Sequence, residues 1–262
     1  MVAPPSKENQ KPLCFQTKCI KALGEDAYIF HCVTRFAETL KINRNMIVVK
    51  DQEDESLSII NPLILSPAGE KALVKLGKIR HIVRLGQTMN FWDGAAVDDK
   101  YYLSKFKCKR WAPGKLSTCP GLPVHKLIKK GGDTPHPAIK FFVFKSTVER
   151  EAIVMLQREN LSNVLIAGDC LQHQVDNPYI NIPTQVKFKL AGFLDSRVVI
   201  SKKWLTNMGG TKPEQLEKVH KSFQTMMQGN FQRFISTSGN NMLTKAAKEA
   251  VAVAVQKALP DN

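Results

Sequence analysis

Two apolar, β-branched runs, Met46-Ile47-Val48-Val49-Lys50 and Leu57-Ser58-Ile59-Ile60-Asn61, flank the acidic segment Asp51-Gln52-Glu53-Asp54-Glu55-Ser56. Runs of this kind broken by a polar turn read as a β-hairpin. An earlier run, Ala27-Tyr28-Ile29-Phe30-His31-Cys32-Val33-Thr34, supplies a third strand. Three such runs in succession commit the first part of the chain to a sheet. Directly after them, Ser66-Pro67-Ala68-Gly69-Glu70 opens a helix. Ser66 suits the N-cap and Pro67 the first helical position, Leu73 and Leu76 share a face, and Gly77 closes the helix. Residues 79–85 form the next strand.

Further on, helices and strands mix. Residues 98–106 read as a short helix, 106–111 as a strand, and 112–137 as a loop rich in Gly and Pro. Residues 139–144 and 164–167 read as buried strands, with a helical stretch over 149–157 between them. The apolar run 141–144 is expected inside its sheet. Thr211-Lys212-Pro213-Glu214 has the form of a capping box for a helix ending near Gly229. Leu243, Ala247, Ala250, Val251, Ala254 and Ala258 mark the stripe of a last helix. This order predicts an α/β sandwich in a single domain over 14–262, with residues 1–13 a disordered tail. With 43% hydrophobic residues over 262 positions the chain has a sizeable core. No run approaches the ~20 apolar residues of a membrane span, so no membrane partner is expected. The N-terminus lacks an apolar leader and the six cysteines form no C-x-x-C pair. A cytoplasmic, reducing location with free thiols is expected.

The order of these pieces resembles the metallo-β-lactamase fold, and more narrowly its metallo-β-lactamase-like hypothetical proteins. The hairpin, the helix over 66–77 and the strand Lys78-Ile79-Arg80-His81-Ile82-Val83-Arg84-Leu85-Gly86 resemble its opening. Leu165-Ile166-Ala167-Gly168-Asp169 resembles its later strand-Gly-Asp motif. Phe231-Gln232-Arg233-Phe234-Ile235-Ser236-Thr237-Ser238-Gly239 resembles its final strand and His-Gly turn. The resemblance covers roughly residues 25–258. It implies an αββα sandwich of two mixed sheets flanked by helices. It also implies a dinuclear metal site, usually zinc, that activates a hydroxide for hydrolysis. In the family, His-x-His-x-Asp-His follows the strand matched by 79–85. Here Gly86-Gln87-Thr88-Met89-Asn90-Phe91-Trp92-Asp93-Gly94 contains no His, and Gly86, Thr88, Asn90 and Phe91 stand at the four ligand positions. The middle His falls near Lys145, the last becomes Ser238, and Asp169 alone remains. The resemblance thus implies a dismantled zinc centre, with no resident cofactor, or at most a divalent metal near Asp169.

A carboxylate stripped of its metal is costly to bury, so Asp169 is expected to pair with Lys145 or another basic neighbour. The vacated cleft is expected to be lined by Thr88, Asn90, Trp92, Asp93, Lys145, Asp169, His173 and Ser238. Asp169, Lys145, His173 and Asp93 are the candidates for chemistry; Thr88, Asn90, Trp92, Ser238, Lys129 and Lys130 are candidates for ligand binding. A hydrolase with a rebuilt site is the alternative, combining Asp93, Asp98, Asp99 and Asp169 with His125, His136 or His173. Such a carboxylate-rich set suits Mg²⁺ or Mn²⁺. Asp98-Asp99 also fits a helix N-terminus. His31 and His81 read as packing residues of strands.

Charge narrows the partners. Lys and Arg number 38 against 23 Asp and Glu, a net +15. Residues 100–150 hold twelve of these cations against Asp133 and Glu149 alone. Interleaved Tyr101, Tyr102, Phe106 and Trp111 offer rings for stacking on bases, which makes a nucleic-acid-binding module the third reading. No nucleic-acid motif accompanies them. Steering of a small anionic or aromatic ligand by the basic segment is therefore preferred. Gly-x-Ser-x-Gly and phosphate-loop motifs are absent from the sequence.

Overall fold

The acidic turn is closed by its own side chains: Asp51 Oδ1 accepts from Glu53 N at 2.9 Å and Asp54 Oδ1 from Ser56 N at 2.8 Å. It joins β3 (Lys41–Lys50) to β4 (Ser56–Ile60) as an antiparallel pair, with Ile47 opposite Ile60. The computed structural model describes residues 14–35, 41–86, 94–114, 121–144, 146–148, 150–178, 180–209 and 212–259. On one side of the hairpin lie β1 (Cys14–Ala22) and β2 (Ala27–Arg35), both antiparallel. On the other side α1 (Pro67–Leu76) crosses to a parallel β5 (Lys78–Val83), and α2 (Gly94–Phe106) leads to β6 (Lys109–Ala112) and β7 (Lys126–Leu127). These seven strands form one mixed sheet in the order β1-β2-β3-β4-β5-β6-β7. Ser66 caps α1, its Oγ accepting from Gly69 N. Ser66→Ala is expected to cost about 1 kcal/mol, read as a lower urea midpoint with an unchanged slope.

The second sheet runs β12-β11-β10-β9-β8. Its strands are β8 (Ile139–Phe144), β9 (Glu151–Leu156), β10 (Val164–Ala167), β11 (Arg233–Ser236) and β12 (Asn241–Met242). Helices α3 (Ile182–Leu190), α5 (Pro213–Met227) and α6 (Ala247–Ala258) follow the sheet strands, and a single turn α4 (Lys202–Trp204) passes into a π-helical turn, Leu205–Gly209. Alternation sorts the side chains into layers. On β3, Met46 and Val48 face α1 and α2 with Leu73 and Tyr102, whereas Ile47 and Val49 meet Val154, Ile166 and Ile235 between the sheets. Phe144, Leu165, Phe223 and Val251 fill the space under α5 and α6. The architecture is the expected αββα sandwich.

Several local expectations need correction. Residues 151–156 form a strand, not a helix; an apolar run buried on both faces has no period to separate the two. The run 141–144 lies in β8, an edge strand of its sheet. It reads as central because Phe141 and Val143 enter the inter-sheet core while Phe142 and Phe144 pack under the helices. α2 starts at Gly94, so Asp98 and Asp99 sit in its second turn rather than at its N-terminus. α5 has Lys212 at its N-cap and no side-chain cap bond, and Thr211 lies outside the described residues. Leu243 precedes α6 and packs between the sheets. Residues 1–13 also lie outside the described residues.

Candidate functional site

β5, β10 and β11 finish at the same end of the sandwich, where two backbone bonds stitch the sheets together: Ala152 N donates to Leu85 O at 2.6 Å and Asn45 N to Thr237 O at 2.9 Å. Thr237 N donates to Ala167 O at 2.9 Å and extends the pairing of β11 with β10. Asn45 Nδ2 adds donations to Ser236 O and Gly239 O. Inside this seam Asn61, Arg84, Leu85, Gly86, Glu151, Gly168, Asp169 and Thr237 line a cavity of about 20 Å³, which holds about one water molecule.

Glu151 dominates the seam. It opens β9 and is 1% exposed. Its Oε1 accepts from Cys170 N at 3.2 Å and its Oε2 from Trp204 Nε1 at 2.5 Å. Trp204 is presented by α4, whose cap Ser201 Oγ accepts from Trp204 N at 3.3 Å. Two glycines give the carboxyl its room: a Cβ on Gly86 would lie 2.8 Å from Glu151 Cγ, and one on Gly168 would lie 3.2 Å from Glu151 Oε1. Gly86→Ala is therefore expected to cost roughly 1–3 kcal/mol by overpacking; an unchanged thermal midpoint would show that Glu151 has slack. Burial first, and then the neighbouring Asp169, push the Glu151 carboxyl up to about 7. Asp169 is itself 4% exposed. Glu151 is thus a buried carboxyl that can hold, give or take a proton near neutrality, with the Asp169 charge favouring its protonated form. Burial and then Glu151 push the Cys170 thiol well up, so it is a neutral neighbour and not a thiolate nucleophile.

The first sheet contributes arginines. Asp99, fully buried, accepts from Arg84 Nη2 at 2.6 Å and from Arg110 Nε at 2.7 Å. Arg84 Nη1 also donates to Asn61 Oδ1 at 2.6 Å. Asp98 accepts from Arg44 Nη1 at 3.1 Å and from Ile64 N at 2.9 Å. The Asp98-Asp99 pair is thus engaged with three arginines, which rules out both the helix-end role and a share in a rebuilt metal site.

Of the residues singled out in the sequence, Asp169 lines the cavity. Ser238 stands one residue beyond Thr237, its carbonyl accepting from Gln174 Nε2 at 3.0 Å. His173 is buried in the turn after β10 and bridges Gly239. Burial pushes its imidazole below the ordinary value. Lys129 and Lys130 are exposed just past β7, two strands from β5. His125 N donates to Arg110 O at the head of β6, and His136 precedes β8. Both are at the end of the sandwich opposite Glu151, which pairs with Phe144 at the far end of β8. Neither is brought to Asp169. Thr88, Asn90, Trp92, Asp93 and Lys145 lie outside the described residues. Tyr102 and Trp111 are 1% and 3% exposed, so these rings belong to the core. Sequence reasoning missed Glu151, Arg84, Asn61, Thr237 and Trp204. The available signal was Glu151 itself, a lone carboxylate heading the apolar run Ala152-Ile153-Val154-Met155-Leu156.

Among the described residues, no group of three or more His, Cys, Asp or Glu side chains is arranged to hold a metal ion. No family model matches the sequence, and no curated protein matches it. Solved structures do. The DIM-1 metallo-β-lactamase superposes with a TM-score of 0.57 at 11% identity, over 92% of this chain and 97% of that one. The FIM-1 metallo-β-lactamase of Pseudomonas aeruginosa in its mono-zinc form gives 0.54 at 14% identity, over 93% and 96%. A flavo di-iron protein mutant from Thermotoga maritima gives 0.58 at 14% identity, over 94% of this chain and 62% of that one. At these identities the likeness shows the metallo-β-lactamase fold.

Proposed function

We propose that this chain is a degenerate metallo-β-lactamase-fold protein that binds a small molecule at the strand-end cleft without a dinuclear zinc centre, through Glu151 and Asp169. The observation that carries the reading is Glu151: a buried carboxyl poised near neutrality occupies the end of the sandwich where β5, β10 and β11 converge. A zinc pair draws mainly on imidazole nitrogens. The described cavity offers two carboxylates, two amide or hydroxyl side chains and an arginine, and residues 86–94 contain no His. This donor set does not fit two zinc ions.

The cavity has room for one functional group, not for a ligand body. A hydroxyl or amine donated to the carboxyl pair fits it, with the rest of the ligand outside. The cationic segment, including Lys129 and Lys130, steers an anionic or aromatic molecule carrying such a group. In this reading Lys145, which follows β8 in the sequence, is the proposed counter-charge of Asp169, and the titrating proton is that of Glu151. If so, Lys145→Met combined with Asp169→Asn destabilises less than the sum of the single changes; strict additivity would remove Lys145 from the site.

Calorimetric titration with a panel of phenolic acids tests the reading. Binding is expected to exchange a proton with the buffer around pH ~7, and Glu151→Gln is expected to abolish that exchange. Asp169→Asn weakens binding by about tenfold or more, the effect of an unpaired donor. Binding indifferent to both substitutions would overturn the proposal.

A further inference from the structure

Helix α3 is held by one face only. Thr184 is 1% exposed and its Oγ1 accepts from Lys41 N at 3.1 Å, while Phe188 packs on Phe193 with ring centroids 5.3 Å apart. The opposite face carries Ile182, Val186 and Leu190, which are 75%, 54% and 85% exposed. At about 100° per residue they form a single stripe, and Lys189 and Lys187 fall on either side of it. Residues 177–194 contain no Asp or Glu. A contiguous row of exposed branched side chains marks an interaction surface. Leu190 runs into Ala191, part of the lining of a cavity of about 310 Å³. That cavity is lined by Phe193, Ile200, Leu205 and Ala254, with Asp195, Lys202 and Lys257 also in its wall.

We propose that this face docks on an anionic lipid bilayer. The stripe enters the acyl boundary, Lys187 and Lys189 meet the phosphates, and the adjoining cavity offers a recess for an acyl chain. An apolar row edged by cations is the pattern of a helix lying in the membrane interface. A second copy of the chain would bring its own lysines and net charge of +15 against the same face, which disfavours self-association. The docking is superficial, since no described helix is long and apolar enough to cross a membrane. A chain without a spanning run can still lie on a bilayer surface. This inference is independent of the strand-end reading.

Flotation with vesicles at physiological salt tests it, comparing phosphatidylcholine alone with phosphatidylcholine containing phosphatidylserine. The full chain is expected to float with the anionic vesicles and not with the neutral ones. Ile182→Ser/Val186→Ser/Leu190→Ser keeps the charge and alters exposed positions, so the fold is retained; it is expected to reduce binding by more than about tenfold. Lys187→Gln/Lys189→Gln is expected to reduce it by about fivefold per lysine. Absence of flotation with either vesicle would overturn the proposal. So would a triple variant that floats like the parent, because overall charge would then account for the adsorption.

Discussion

Asp99→Asn is expected to lower the unfolding free energy by roughly 3–5 kcal/mol, the cost of stranding buried charge. Asp99 is the shared acceptor of Arg84 and Arg110, whose side chains are 3% and 1% exposed. A guanidinium cannot shed its proton to escape burial, so both cations would remain charged beside a neutral amide. Arg110 Nη2 already lacks a partner among the described residues. The seam should feel the change, because Arg84 joins Asp99 to Asn61 and to the cavity wall. Urea unfolding measures the loss. The control is Glu217→Gln in the exposed Glu217–Lys221 pair of α5, expected to unfold with the parent. A loss for Asp99→Asn no larger than that control would mean that the arginines are hydrated and that the network does not hold α2 to the sheet.

The second large effect is a dependence of stability on pH that belongs to Glu151. Its carboxyl is raised from 4.5 to about 7 in the folded chain, so the folded state binds the proton more tightly than the unfolded state. The resulting stabilisation is complete below pH 4.5, declines as pH rises through the interval, and is gone above about 7. The total is about 3 kcal/mol, at 1.36 kcal/mol per unit of pKa. Buried His173 acts in the opposite sense: its lowered value costs stability as pH falls below 6.5. The difference between the parent and Glu151→Gln isolates the carboxyl. The variant is expected to lose some stability in acid, since its amide has one accepting oxygen and a nitrogen that only donates, leaving either Cys170 N or Trp204 Nε1 facing a donor. Its deficit should shrink steadily as pH rises. Parallel pH curves would mean that Glu151 ionises normally.

The hairpin and the helix cap were legible because local chemistry determines them: Asp51 and Asp54 close the turn, and Ser66 and Pro67 start α1. The layered sandwich was legible from the order of the runs. β8 was legible as a strand but not as an edge, because Phe141 and Val143 on one side and Phe142 and Phe144 on the other all pack against core; β9 reads as a helix because its apolar run is buried on both faces and the alternation that marks a strand disappears. Asp98 and Asp99 resemble a helix start in sequence, and only the tertiary approach of Arg44, Arg84 and Arg110 gives them their actual role. Asp169 stood out through its Gly-Asp turn. Glu151 did not, since its partners Cys170, Asp169 and Trp204 are distant in the chain and carry no spacing signal.

Metal content of the protein purified without chelators bears most directly on a strand-end cleft that works without a zinc pair. Elemental analysis should find well under one equivalent of zinc or iron per chain, and EDTA should leave the melting temperature unchanged. Two equivalents of either metal, or a melting temperature that falls by several degrees on chelation, would contradict the account.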